Sequence, residues 1–424
     1  MTNKFLCDFR FLLLAAAVAF IYIQMRLFTT QSKYADRLAN AVEAETRCTS
    51  QMRKLIDQIS MQQSRIVDLE EDKKRQDEEY GQMKALVQDL QLKGLQRRMN
   101  KIQTPVAAVV VMACNRADYL ERTIKSILKY QNAVASKFPL FVSQDGSDPQ
   151  VRKKALSYDQ LTHMQHLDSK LVQTERPGEL IAYYKIARHY KWALDKLFHE
   201  YKFSRVIILE DDMEIAPDFF DYFEAAAALM EKDKTIMAVS SWNDNGQKQF
   251  VHDPEILYRS DFFPGLGWML TKPTWNELSP KWPKAYWDDW LRLQENHKGR
   301  QFIRPEVCRT YNFGEHVDWK SKDLSYLMED KYIKLFAEIL KNAKPINGAD
   351  AVLKASNVQG DVRVHYEDQP DFERIARQFG VFQEWKDGVP RTAYKGVVVF
   401  RYPPPRRVFL VGPKSFELLG IKSV

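Results

Sequence analysis

The chain has 424 residues, 45% of them hydrophobic, and 63 lysines and arginines against 56 aspartates and glutamates leave it a net charge of +7. That length takes one large catalytic domain with accessories, or two to three domains, around a sizeable core. The charge excess is modest and carries no nucleic-acid signature, while Cys7, Cys48, Cys114 and Cys308 stand too far apart for a zinc site.

Lys4 and Arg10 precede an apolar run over residues 11–23. Counting 9–28, with arginines that reach back to the interface, gives about the twenty residues a bilayer core requires. Ala17-Val18-Ala19 resembles a signal-peptidase site, but apolar residues continue past it, which favours an uncleaved anchor. The basic residues before the span put the N-terminus in the cytoplasm and the rest in the lumen of the secretory pathway. The sequence thus divides into a tail (1–10), an anchor (11–28), a stem (29–103), a catalytic domain (104–345) and a C-terminal accessory module (346–424).

The stem has no proline and almost no glycine. Met52, Leu55, Ile59, Ile66, Leu69, Tyr80, Met83, Val87 and Leu90 fall at a and d positions of one heptad register, broken at Gln62, Lys73 and Gln76. A coiled coil that joins two copies through the stem and a lone solvated helix both satisfy this pattern. Cys48 is placed where it could staple two stems.

Past Thr104-Pro105 strands and helices alternate: a strand at 107–114, a helix at 119–130, a strand at 140–144, helices at 183–198 and 217–232, and strands at 206–209 and 236–240. This is an α/β pattern. No glycine-rich phosphate loop is present, so a nucleotide has to be held by side chains and metal. Arg116 and Asp145 follow strand ends, where ligands bind in open α/β sheets, although a structural salt bridge explains either residue alone.

Chemistry concentrates where the strand Val206-Ile207-Ile208-Leu209 runs into Glu210-Asp211-Asp212. Three adjacent carboxylates repel one another unless a cation sits among them. Oxygen ligands suit Mg²⁺ or Mn²⁺, which need few protein carboxylates when they also bridge to phosphates. An acidic cap for the following helix is the plainer alternative. Farther on, aromatic residues crowd around Gly and acids, in Trp242-Asn243-Asp244-Asn245-Gly246, in Phe262-Phe263-Pro264-Gly265-Leu266-Gly267-Trp268, and in Lys281-Trp282-Pro283-Lys284-Ala285-Tyr286-Trp287-Asp288-Asp289-Trp290. Sugars stack on aromatic faces and give their hydroxyls to acids, so a carbohydrate site is one reading and core packing the other. A carboxylate flanked by Trp287 and Trp290 loses water and becomes a better base.

Together with Tyr183-Tyr184-Lys185-Ile186-Ala187-Arg188-His189-Tyr190 and Ala216-Pro217-Asp218-Phe219-Phe220, these runs resemble the inverting, Golgi-resident β-1,2-N-acetylglucosaminyltransferase I family of N-glycan maturation, in its plant form. The resemblance implies a GT-A type, Rossmann-like nucleotide-sugar-binding domain with a small C-terminal α+β module, behind an anchor and helical stalk. It implies UDP-GlcNAc as donor, Mn²⁺ as cofactor, and a terminal mannose of the five-mannose N-glycan of a glycoprotein as acceptor. By the same resemblance Asp212 holds the metal, and Glu210 and Asp211 touch the donor's GlcNAc and ribose. Arg116, Asp145 and His189 hold the nucleotide, Leu266 and Trp287 line the substrate site, and Asp288 is the catalytic base with Asp289 as its neighbour and competitor.

One departure stands out. After Arg309-Thr310-Tyr311-Asn312-Phe313-Gly314-Glu315-His316 the chain passes directly to Val317-Asp318-Trp319-Lys320, where the family has a loop that closes over the donor, a helix and a strand. Their loss is expected to expose the donor to water and to uncover apolar surface. Two other readings follow: a catalytically impaired Golgi variant with a scaffolding role, and a related transferase acting on O-linked mannose. The C-terminal module is read as a buttress without chemistry of its own, with a hairpin at 397–401 and 408–411 and a turn at Asp387-Gly388.

Overall fold

The computed structural model describes residues 4–99, 104–310, 319, 322–354 and 360–422, with side chains of 4–10, 82 and 84–99 left aside. The tail's Lys4 and Arg10, Cys7, the heptad positions Val87 and Leu90, and the junction at His316 lie outside those described side chains. Residues 1–94 and 95–424 form two compact units.

The first unit belongs to one helix, α1 (Lys4–Met99), of 96 residues, whose last turn lies past the unit's boundary. A run this long without proline can stay helical, and at 1.5 Å per residue it extends about 140 Å. Its N-terminal part contains an 18-residue window of mean hydropathy 2.0, so among the described residues one helix is long and apolar enough to cross a membrane. Leu55, Ile59, Ile66 and Leu69 of the heptad seam are exposed.

The second unit is built on an eight-stranded mixed sheet. In chain order its elements are β1 (Ala108–Ala113), α2 (Ala117–Gln131), β2 (Leu140–Asp145), α3 (Pro149–Leu156), β3 (Leu161–His166), α4 (Ile181–Asp195), β4 (Arg205–Glu210), α5 (Phe219–Lys232), β5 (Ile236–Ser240), β6 (Leu257–Ser260), β7 (Trp268–Thr271), α6 (Lys272–Leu278), α7 (Trp287–Arg292) and β8 (Gln301–Pro305). The strand order is β3-β2-β1-β4-β7-β5-β8-β6. Strands β3, β2, β1 and β4 run parallel, whereas β7 is antiparallel to both β4 and β5.

Side chains alternate across a strand with period two, and here each face finds its own helices. Val109, Val111, Ile207 and Leu209 pack with Leu120, Ile124, Phe219 and Phe223 of α2 and α5. Ala108, Val110, Val206 and Ile208 pack with Ala187, Leu194, Trp275 and Trp287 of α4, α6 and α7. With both faces covered, the strands read as continuous apolar runs. The α/β architecture expected from the alternation is therefore present. Elements not foreseen include α3, β3, β6, β7, α6 and β8; β3, at one edge of the sheet, reads Leu-Thr-His-Met-Gln-His and is only half buried.

A second sheet of four strands joins Lys344–Pro345, Val362–His365, Arg407–Val411 and Val397–Arg401, the last two as the expected antiparallel hairpin. It begins before residue 346, and its two faces differ: Val362, Val364, Val398 and Leu410 pack with Phe372 and Phe379 in a cluster of their own, while Val397, Val399, Phe409 and Val411 belong to the same cluster as the main sheet's Val109 and Ile207. Trp385–Lys386 and Val389–Pro390 form a small hairpin around Asp387 and Gly388, whose φ values of 50° and 80° suit a tight two-residue turn.

Candidate active site

The carboxyl ends of β1, β2 and β4 come together at one edge of the sheet. β4 delivers Glu210 at its last residue, and Asp211 and Asp212 turn out of the strand. They do not cap α5. That helix starts at Phe219, and the acid beside it, Asp218, is buried and engaged by Arg309 Nε at 2.9 Å and by Trp319 Nε1 at 2.7 Å.

The triplet faces Arg116, at the start of α2 beyond β1. Arg116 pairs closely with Asp211 and reaches Asp212 at 3.1 Å. The three acids are held differently. Asp211 is buried, and its backbone carbonyl also accepts from Thr123 Oγ1 at 2.8 Å. Burial raises its carboxyl despite Arg116. Glu210 accepts from the Tyr190 hydroxyl at 2.8 Å. Burial, with Asp212 and Asp211 adding, pushes its carboxyl up. Asp212 is the most open, with 38% of its side chain exposed and only the long contact to Arg116.

Tyr190 carries the connection onward. Burial and then Glu210 push its phenol well above the usual range. Its ring stacks on Trp287 at 4.5 Å, and Trp287 stacks in turn on Trp268 at 5.6 Å and Trp282 at 5.9 Å. Of the tryptophans read from sequence as possible sugar platforms, Trp268, Trp282 and Trp287 thus form a packed column: Trp268 is fully buried and Trp287 is 8% exposed. Asp288 is not sandwiched between Trp287 and Trp290. Neighbours on a helix point apart, and its side chain is 44% exposed with one bond to Arg292 Nη1 at 3.2 Å. Tyr286 opens α7 at φ 50°, a left-handed conformation unusual for a bulky residue, while its ring stacks on Tyr183 at 4.7 Å.

Asp145 and His189 form a neighbouring cluster with two residues that the sequence reading missed. Asp145 Oδ1 meets His166 Nδ1 at 2.7 Å, and His189 Nε2 lies 2.8 Å from Ser143 Oγ. The two imidazoles stack at 5.5 Å. Burial lowers the His189 pKa to about 4, so the ring is neutral at physiological pH. Leu266 stands on the rim, 40% exposed at φ 44° between Gly265 and Gly267, and its carbonyl accepts from Thr310 Oγ1 at 3.1 Å. His166, Arg292 and Lys386 carry no motif of their own, and Tyr190 closes the Tyr183-to-Tyr190 run without having been assigned a role. Only the position of His166 at the end of a missed strand could have pointed to it.

Among the described residues no group of three or more His, Cys, Asp or Glu could hold a metal ion by itself. With Glu210 tied to Tyr190 and Asp211 to Arg116, Asp212 is the carboxylate available to one. A single hard oxygen ligand fits Mn²⁺ or Mg²⁺ when a diphosphate supplies further oxygens.

Acids at the carboxyl edge of a mixed α/β sheet are compatible with a nucleotide-sugar site, and the family and relative that the chain matches place it among the glycosyltransferases. The sequence model described as the GNT-I family matches residues 14–317 and 315–423, and the chain belongs to that family. A curated relative, the alpha-1,3-mannosyl-glycoprotein 2-beta-N-acetylglucosaminyltransferase of Arabidopsis thaliana, is 69% identical over 438 residues, covering 98% of this chain and 99% of that protein. That alignment is longer than the 424 residues available here, so it opens gaps in this chain. The two family matches meet at 315–317, where the sequence passes from His316 to Val317. Among solved structures, a mannosyltransferase from Pyrobaculum calidifontis in complex with GDP-Man and Mn²⁺ is similar at 18% identity over 61% of this chain and 72% of that one, with a TM-score of 0.32. Residues 1–349 of S. aureus TarS in complex with UDP-GlcNAc are similar at 15% identity over 56% and 67%, with a TM-score of 0.33.

Proposed function

We propose that the chain transfers GlcNAc from UDP-GlcNAc, with inversion, to the 2-hydroxyl of a terminal mannose on the five-mannose N-glycan of a glycoprotein. It does so as a single-pass, type II Golgi membrane protein with its second unit in the lumen. The observation that carries this reading is the link between two acidic groups, Glu210-Asp211-Asp212 at the end of β4 and Asp288 on α7, joined through Tyr190 and Trp287.

In this reading Asp288 takes the proton from the mannose 2-hydroxyl as that oxygen bonds to the anomeric carbon and the bond to UDP breaks on the opposite face. A Mn²⁺ ion held by Asp212 supplies, when bound, a Lewis acid for the departing diphosphate. Arg116 braces Asp211 and Asp212 so that both keep their direction without the ion. Tyr190 fixes Glu210 toward the donor sugar, Asp145 and the neutral His189 hold the nucleotide, and Leu266 borders the sugar, with Trp287 packed behind Tyr190 as its support.

Transfer by the full chain in detergent, from UDP-GlcNAc to the five-mannose glycan, with and without Mn²⁺ and beside Asp288→Asn, tests the reading. Metal-dependent transfer that Asp288→Asn abolishes is the expected result; equal transfer by the variant refutes the role of Asp288. The break at 315–317 supports a second reading, an impaired variant that serves in assembly. No transfer by a folded chain decides for it.

A further inference from the structure

Two adjacent carboxylates open α7, and their surroundings differ. Arg292, one turn along the helix, donates from Nη1 to Asp289 Oδ1 at 2.7 Å and less closely to Asp288 Oδ2 at 3.2 Å. The other oxygen of Asp289 takes Lys386 Nζ at 2.9 Å, from the hairpin Trp385–Lys386 and Val389–Pro390. Burial alone would raise the Asp289 carboxyl, but the bonds from Lys386 and Arg292 outweigh it and hold it below its usual range.

We propose that Lys386 is a positioning residue for the transfer: by holding Asp289 it settles which of two neighbouring carboxylates is free to act as the base. This rests on the reading of Asp288 as that base. The argument is one of shared donors. Arg292 is nearly buried and cannot follow a moving partner, because its Nε donates to the Phe263 carbonyl at 3.2 Å and its guanidinium lies 4.7 Å from the Phe262 ring centre. Arg391 covers the same ring at 5.1 Å and is itself fixed by Asp244 at 2.8 Å and by Glu384. With Lys386 present, Asp289 has two cations and Arg292 retains a bond for Asp288. Without it, Asp289 competes for all of Arg292, and Asp288 loses both the contact that sets its rotamer and the nearest positive charge. The groups facing this pair are Arg292 from α7, Lys386 from the hairpin with Glu384 and Arg391 beside it, Asp244 behind Arg391, and from α4 Tyr190 with Glu210 behind it. The module read as lacking chemistry thus reaches the acids of α7.

An ion pair this exposed adds little to stability, so its effect belongs in the kinetics. The test compares Lys386→Met, Lys386→Arg, Asp288→Asn, Asp289→Asn and the double variant of Lys386→Met with Asp289→Asn, all in the full chain. Lys386→Met is expected to lower kcat about tenfold and move the acid limb of its pH profile upward, with the KM for UDP-GlcNAc changed by less than about twofold. Lys386→Arg should restore most of kcat, and Lys386→Met should have no further effect once Asp289 is Asn. An unchanged kcat and pH profile in Lys386→Met, or the same loss in both backgrounds, overturns the proposal while leaving the base intact. Activity in Asp288→Asn overturns the base reading instead, and no transfer by the unaltered chain removes both.

Discussion

At the scale of single residues the acids of the site separate by what already holds them. Asp212 makes one long contact, so Asp212→Asn should leave the fold unchanged and cost about a hundredfold or more in transfer. Chelation of Mn²⁺ should do the same. A large drop in Tm for that variant would instead mark Asp212 as structural. His189 gives a pH signature. Its pKa is lowered from 6.5 to about 4 by burial, so between those values the unfolded chain binds a proton that the folded chain refuses. The stability held above pH 6.5 is therefore lost as the pH falls toward 4, by about 3 kcal/mol at most. A Tm series from pH 7 to 4 should show this slope, and His189→Phe should flatten it.

Among the elements, the turn Gly265-Leu266-Gly267 has φ of 71°, 44° and 80° in succession, which only glycine adopts freely. A Cβ on Gly267 would run into Ser241 Oγ and Thr310 Cγ2. Gly267→Ala should thus cost about 3 kcal/mol through strain and overlap together, read from denaturant unfolding. An unaffected midpoint would mean that the turn is free to relax. The acids and tryptophans of α7 marked the site in the sequence, yet its left-handed entry at Tyr286 and its partners Arg292 and Lys386 were not legible. Lys386 comes from a distant hairpin, so nothing local to the Trp-Asp-Asp-Trp run encodes its contact, whereas Arg292 stands on the same helix and its part follows only from how α7 packs. Strand β3 escaped for another reason: it is only half buried, and its Thr, His and Gln interrupt the apolar pattern and leave the alternation weak.

For the whole molecule, the shared core sets what can be removed. A chain ending before residue 346 would strip Val397, Val399, Phe409 and Val411 from the main cluster, so it should not yield a soluble, cooperatively unfolding protein. Recovery of such a protein would show that the second sheet is only an attachment. The break at 315–317 allows the opposite experiment. Two cavities of about 350 and 800 Å³ share Lys322, Asp323 and Leu324 in their linings, just past it. Grafting the additional positions of the Arabidopsis relative at the break should raise both Tm and transfer; a graft that changes neither would mean the segment is dispensable.

The sequence by itself determined the long N-terminal helix, the α/β alternation, the acid triplet at a strand end and the family, because these rest on local periodicity and on contiguous motifs. The order of the strands, with β7 inserted antiparallel between β4 and β5, was left to the tertiary structure. So were the conversion of apparent sugar platforms into a buried tryptophan column, the bracing of Asp211 and Asp212 by Arg116, and the reach of Lys386 to Asp289. Each of these depends on which distant segments share a buried surface, and that choice minimises exposed apolar area and unpaired charge over the whole chain.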